Sequence, residues 1–252
     1  MKILITGASG FVGSHGISQL SEYNLQTTTH QELDLTNEDQ VRKFLNDKKF
    51  DWIVHCASVG GSRLKEDPNC SVNIEMVKNL LEFRKKAKFI TFGSGAEYNL
   101  ERWNDYGRSK RYIRDICLQS KNCYYLRLFG VFGKNEWDTR FITSCIQRCK
   151  NNKPISIHQN RLYDFVHIKD VYNIIRLILE NKIKHKELDC CYEDKYDLLQ
   201  IAEYIKLYCE SNNKIIVNDK KNYIRDYIGE YKYPIIKRTL FERIEEFINE
   251  YE

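Results

Sequence analysis

Residues 2–20 read KILITGASGFVGSHGISQL, and this stretch decides the fold, because a short apolar run stops at a glycine and turns at once into a helical pattern. A strand followed directly by a helix opens a βαβ unit. Gly7, Gly10 and Gly13 cross the turn with the spacing GxxGxxG. One glycine permits the tight turn, one lets the backbone approach a pyrophosphate, and one lets helix and strand pack closely; the helix N-terminus then offers free N–H groups to phosphates. Glycines in an arbitrary turn would mean little, but between a strand and a helix they predict a dinucleotide site. The expected contacts in this turn are Gly7, Ser9, Gly10, Phe11, Val12 and Gly13.

Outward from the turn, strands and helices alternate. A polar strand is expected near 25–29, a helix at 38–47, a strand over DWIVHCA at 51–57, and a helix at 71–86. The strand KFITFGS, a helix at 106–119 and a strand over NCYYLRLFGVFG follow. This alternation predicts an α/β fold, a Rossmann-type doubly wound parallel sheet with helices on both faces. Ligands bind such sheets at the carboxyl ends of the strands. Residues 1–150 are expected to form this domain, with segments around 160–185 returning to it, and 151–252 a smaller α+β substrate lobe that ends in the charged helix TLFERIEEFINEYE.

The end of the second strand selects the dinucleotide, since an acid there holds a ribose 2′-hydroxyl and a cation admits a 2′-phosphate. Thr28, Thr29, His30 and Gln31 occupy it, with no acid among them. NADP(H) is therefore favoured, with NAD(H) as the alternative. His30 is a candidate phosphate contact, and Asp34 and Leu35 are placed near the adenine, although a solvated loop carboxylate would also explain Asp34.

Tyr106 and Lys110 lie four residues apart in DYGRSK. On a helix they share one face. An ammonium beside a phenol favours the phenolate and should lower the tyrosine's pKa from about 10. Such a tyrosine can trade protons with a carbonyl or alcohol.

The bulk numbers exclude several alternatives. The 252 residues are 42% hydrophobic, enough for a sizeable core, and the net charge of +5 is spread without a basic block, so nucleic-acid binding is not required. Nine cysteines include no CxxC pair, and neither the Cys145 and Cys149 pair nor Cys190 and Cys191 has histidines at zinc spacing. They read as reduced thiols used in packing, with no metal site. No apolar run approaches the roughly 20 residues that span a bilayer, and no signal peptide precedes the first strand, so a cytoplasmic protein without membrane association is expected.

TGASGFVG, IVHCA, NIEMVKNLLE, FGSGAEY, YGRSK, LRLFGVFG and DFVHIKDV occur in register along most of the chain. In this the sequence resembles the extended short-chain dehydrogenase/reductases, the NAD-dependent epimerase/dehydratase family acting on nucleotide sugars. The resemblance implies a catalytic Ser94, Tyr106 and Lys110, in which Ser94 orients the substrate carbonyl. It also implies cofactor contacts at Ala57 and Phe129, and a homodimer through the helices at 71–86 and 106–119.

Departures from the family pattern narrow the reaction. Nucleotide-sugar 4,6-dehydratases carry an Asp-Glu pair directly after the hydroxyl residue, where Gly95 and Ala96 stand here, and neither can serve as acid or base. HQELDLTNEDQVRKFL and the Val59, Gly60, Gly61 run are similar to GDP-fucose synthases, but Ala96 replaces their cysteine and Arg140 falls near their histidine. Tyr163 stands where an arginine usually precedes the acid of DFVHIKDV, with Arg161 two residues earlier, and eleven residues separate Ser94 from Tyr106, a short loop that implies a more open site. The expected function is NADPH-dependent reduction of a 4-keto group on a nucleotide-linked deoxysugar or heptose. The alternatives are an NAD-dependent 4-epimerase and a non-catalytic nucleotide-binding subunit.

Overall fold

A computed structural model describes residues 1–61, 69–98, 105–218 and 225–251. They divide into two compact units, Met1–Arg127 with Tyr172–Leu188, and Leu128–Val171 with Asp189–Glu252. In chain order the elements are β1 (Lys2–Thr6), α1 (Phe11–Gln19), β2 (Asn24–Thr28), α2 (Glu38–Asn46), β3 (Trp52–His55), α3 (Ser71–Phe83), β4 (Lys88–Ser94), α4 (Asp105–Gln119) and β5 (Cys123–Leu128). There follow β6 (Gly130–Phe132), α5 (Phe141–Lys150), β7 (Ile155–Ile157), β8 (Phe165–His167), α6 (Ile168–Leu179), β9 (Glu187–Cys190), α7 (Leu198–Tyr208), β10 (Ile215–Val217) and α8 (Leu240–Glu250).

Six strands form the main sheet in the order β2-β1-β3-β4-β5-β9. β1 pairs in parallel with β2 and β3, and β3 with β4, with Ile3 opposite both Leu25 and Trp52. The strand identities follow from burial: WIVH of β3 is buried throughout, as a central parallel strand must be, whereas the polar NLQTT of β2 takes the edge. α2 is capped by the Asn37 side chain accepting from the Gln40 amide, and turns Val41 and Leu45 into a core shared with Leu4, Ile53, Leu80, Phe89 and Tyr125. The expected doubly wound α/β sheet is what forms. Chain order reverses between β1 and β3, and their carboxyl ends therefore open the crevice in which such sheets take ligands.

NCYYLRLFGVFG, expected as one strand, is two. β5 belongs to the main sheet, whereas β6 pairs with β8, Gly130 opposite Phe165. The switch comes at Gly130, where a Cβ would lie 2.5 Å from Phe165 Cδ1 and the amide donates to the Asp164 carbonyl at 2.9 Å. Only a glycine allows that approach.

In the second unit β7 and β10 form a parallel pair, and α7 and α8 each begin with a capping box, Asp197 with Gln200 and Thr239 with Glu242. Its polar centre is Asp170, which accepts from Arg243 Nε at 2.8 Å and from the Tyr192 hydroxyl at 2.8 Å. No helix among the described residues is long and apolar enough to cross a membrane.

Candidate active site

The turn between β1 and α1 shows what each glycine does. Gly7 has φ +68°, and a Cβ there would lie 2.5 Å from the Ala57 amide nitrogen at the end of β3. A Cβ on Gly13 would sit 2.8 Å from the Gly7 carbonyl carbon, so it is helix packing that excludes a side chain there. Gly10 differs: a Cβ would meet only the Gly7 carbonyl, at 3.4 Å, and would otherwise enter open space. The protein itself leaves that room, as a backbone that a pyrophosphate must approach would. The first intrahelical bond of α1 runs from Ser14 N to Gly10 O at 2.8 Å, so the amides of Phe11, Val12 and Gly13 have no intrahelical acceptor. Ser9 and Gly10 are exposed beside them. These residues fit a dinucleotide's phosphates.

α1 is held from below. The Tyr172 hydroxyl donates to the Val12 carbonyl at 2.7 Å, and a Cβ on Gly16 would lie 2.6 Å from the Tyr172 hydroxyl oxygen. At the end of β2, His30 is exposed and 4.0 Å from Asp34, whose Oδ1 accepts from the Thr36 amide and hydroxyl at 2.9 and 2.7 Å. The Leu35 side chain is core, and its carbonyl accepts from the Asn79 side chain at 3.0 Å. Glu32, four residues past β2, folds back so that its carboxylate accepts from the Thr29 amide at 2.8 Å and hydroxyl at 3.0 Å. An acid thus stands at the strand end after all, where sequence position had shown none. Phe129 belongs to the second unit, its ring edge-on to Tyr227 at 5.4 Å.

Ser94, Tyr106 and Lys110 are brought together. Ser94 closes β4, and its hydroxyl and that of Ser58 hydrogen-bond the Tyr106 hydroxyl. Tyr106 and Lys110 lie one turn apart on α4, the Lys110 Nζ 5.5 Å from the Tyr106 ring centroid and donating to the Phe92 carbonyl at 3.1 Å. The loop that presents Ser58 is pinned by Asn73 of α3, which accepts from the Val59 amide and donates to the Val59 carbonyl, both at 2.8 Å. Gly61, φ +79°, brings that loop's backbone against the Tyr106 ring. Of the short loop between Ser94 and Tyr106, residues 99–104 lie outside the described residues.

The electrostatics correct one expectation. Lys110 does not pull Tyr106 toward the phenolate; burial pushes the phenol up to about 12, aided by the negative Glu97 and opposed by the two serine hydrogen bonds. Desolvation outweighs a cation more than 5 Å from the ring. Burial likewise draws Lys110 down to about 8, with Glu97 opposing it. At neutral pH the pair is a phenol over an ammonium. His55 beneath them, bonded through Nδ1 to the Thr6 hydroxyl at 2.8 Å, is depressed to about 3 by burial and stays neutral.

Gly95 and Ala96 fall in a one-turn 3₁₀ helix, Gly95–Tyr98, in which Glu97 turns into the protein. In the second unit Tyr163 is buried, stacked on Phe165 and tilted against Tyr227 at 4.7 Å each, while Arg161 lies over its ring and Lys195 pairs with Asp164 at 2.7 Å. Tyr163 is thus a packing residue.

The family model described as NAD dependent epimerase/dehydratase family matches residues 3–190, and the chain belongs to that family. It is 25% identical to GDP-6-deoxy-D-talose 4-dehydrogenase of Aggregatibacter actinomycetemcomitans, over 89% of this chain and 85% of that one. It is 26% identical to CDP-abequose synthase of Salmonella muenchen, over 85% and 83%. In fold it is similar to a GDP-mannoheptose C4 reductase from Campylobacter jejuni with NADP bound, with a TM-score of 0.78 at 18% identity, covering 99% of this chain and 98% of that one. The UDP-glucose 4-epimerase of Thermotoga maritima gives a TM-score of 0.80 at 16% identity, over 100% and 98%.

Proposed function

We propose that this member of the NAD-dependent epimerase/dehydratase family reduces the 4-keto group of a nucleotide-linked deoxysugar or heptose with NADPH, as a cytoplasmic homodimeric enzyme of surface-polysaccharide sugar synthesis. The observation that carries the reading is Tyr106, half-buried and hydrogen-bonded to Ser94, with Lys110 one turn away. A bound dihydronicotinamide would supply hydride to the keto carbon. Ser94 donates to the carbonyl oxygen and holds it against Tyr106, and Tyr106 gives that oxygen its proton as charge develops. A phenol held well above neutrality is the state this acid needs. Lys110 stabilises the phenolate left behind and binds the nicotinamide ribose, and the α1 amides and Ser9 hold the pyrophosphate. Gly95 and Ala96 offer no group to move protons at neighbouring carbons, which leaves reduction without dehydration.

The test is incubation with NADPH and GDP-, CDP-, UDP- and dTDP-linked 4-keto sugars, following loss of reduced-nicotinamide absorbance and the product's C4 configuration. Tyr106→Phe should nearly abolish turnover and spare cofactor binding; wild-type rates in that variant would sink the mechanism.

Glu32 supports a second reading, an NAD-dependent 4-epimerase. A carboxylate on the Thr29 amide repels a 2′-phosphate and can accept from a ribose 2′-hydroxyl. Purified protein carrying tightly bound NAD, interconverting C4 epimers with no net use of NADPH, would decide for it.

A further inference from the structure

The proposed mechanism makes no use of Glu97. Its side chain is 3% exposed, as is that of its partner Arg127, whose Nη2 and Nε lie 3.2 and 3.3 Å from Oε2. Arg127 continues to Glu187 at 2.6 Å, which Arg114 of α4 also grips, so the buried charges are matched. The other oxygen faces the reacting residues. Oε1 accepts from the Ser94 amide at 2.7 Å and lies 2.6 Å from the Tyr125 hydroxyl. That hydroxyl is also 2.8 Å from the Lys110 carbonyl, two acceptors sharing one proton. Tyr125 reaches them because residue 93 is glycine, where a Cβ would stand 2.5 Å from its Cζ.

A carboxylate enclosed this deeply is costly unless every lone pair is used, and apolar residues of the same volume would pack there at less cost. What the arrangement provides is a single rigid group bonded to β4 and β5 and, through Tyr125, tied to α4. We propose that Glu97 is the positioning residue of the trio, holding the Ser94 backbone directly and the Lys110 turn through Tyr125. The inference deepens the reductase reading and rests on it for its kinetic arm. The charge of Glu97 also bears on the trio, raising both Tyr106 and Lys110. The other titratable or charged groups around it are Arg127 and Tyr125 from β5, Glu187 from β9, Arg114 and Cys117 from α4, Tyr98 from its own turn, and Cys56, Cys70 and His55 near Lys110 and Tyr106.

Two variants test it. Tyr125→Phe removes the tie to Lys110 without touching charge and should lower kcat about tenfold, with KM and the pH profile unchanged. Glu97→Gln keeps the shape but loses the charge, so kcat should fall and the alkaline limb should move to lower pH. In the cofactor-free protein, the midpoint of Lys110 acetylation by trace acetic anhydride, read by peptide mass, should drop by roughly half a pH unit or more. Wild-type kcat in Tyr125→Phe, or a Glu97→Gln protein whose Lys110 midpoint is unmoved, overturns the proposal; lowered stability alone would mean mere packing. Should the wild type reduce no 4-keto sugar, the reductase reading fails while the acetylation arm still decides this one. If Glu97→Gln does not fold, Tyr125→Phe decides it.

Discussion

Gly61→Ala is the sharpest probe of how the backbone places Tyr106. The residue has φ +79°, and its added Cβ would lie 2.8 Å from Cζ and 3.1 and 3.2 Å from Cε1 and Cε2 of the Tyr106 ring, where ordinary contact begins at 3.4 Å. The left-handed backbone alone costs an alanine about 1–2 kcal/mol. The overlap needs roughly 0.6 Å of retreat by a ring whose hydroxyl is tied to Ser94 and Ser58. Misplacing a reacting group by about 1 Å can cost 10²-fold, so this smaller shift should lower kcat by about 10- to 100-fold, or roughly 1.4–2.7 kcal/mol of barrier. Turnover would be measured on the nucleotide sugar that the wild type converts, and cofactor affinity by fluorescence titration, which should hold. The reasoning requires the loss to pass through Tyr106, and so Gly61→Ala should cost little more once Tyr106 is already Phe. A kcat within threefold of wild type, or a full further loss in the double variant, would refute it.

Asn73→Ala leaves the Val59 amide without its partner and the Val59 carbonyl with the Cys70 thiol, and should cost about 1–3 kcal/mol in urea unfolding and lower kcat as the loop beside Tyr106 loosens. As pH rises through about 8, Lys110 in the free enzyme loses its proton, so kcat/KM should fall above that pH, and Lys110→Met should remove that limb along with most activity. Asp170→Asn takes the carboxylate from the buried Arg243 guanidinium, which then leans on Glu246, and should destabilise the second unit by about 1–3 kcal/mol, seen as a lower denaturation midpoint.

The sheet was legible because its signals are local. Glycine spacing, apolar runs and the Tyr106 and Lys110 spacing each report on a few neighbouring residues. The misreadings came where distant residues decide. Phe129 and Gly130 read as the middle of a strand until Phe165 is seen to occupy the space beside Gly130. Glu97 looked like one more residue of the FGSGAEY motif, and only the approach of Tyr125 and Arg127 from β5 makes it a centre of contacts. The phenol's ionisation was misjudged for the same reason: helix spacing shows the nearby lysine but not the burial that outweighs it. Glu32 was missed because the chain bends back after Thr29.

Tyr172 bears on how the protein is made. Its bond to the Val12 carbonyl spans 160 positions, and Arg176, one turn further along the same helix, adds bonds to Glu22 and to the Gln19 carbonyl at the end of α1. A nascent chain therefore carries its glycine turn out of the ribosome long before the segment that braces it exists. Nucleotide binding should mature only after α6 has emerged, and a ribosome-stalled chain ending before residue 172 should be sensitive to protease around α1.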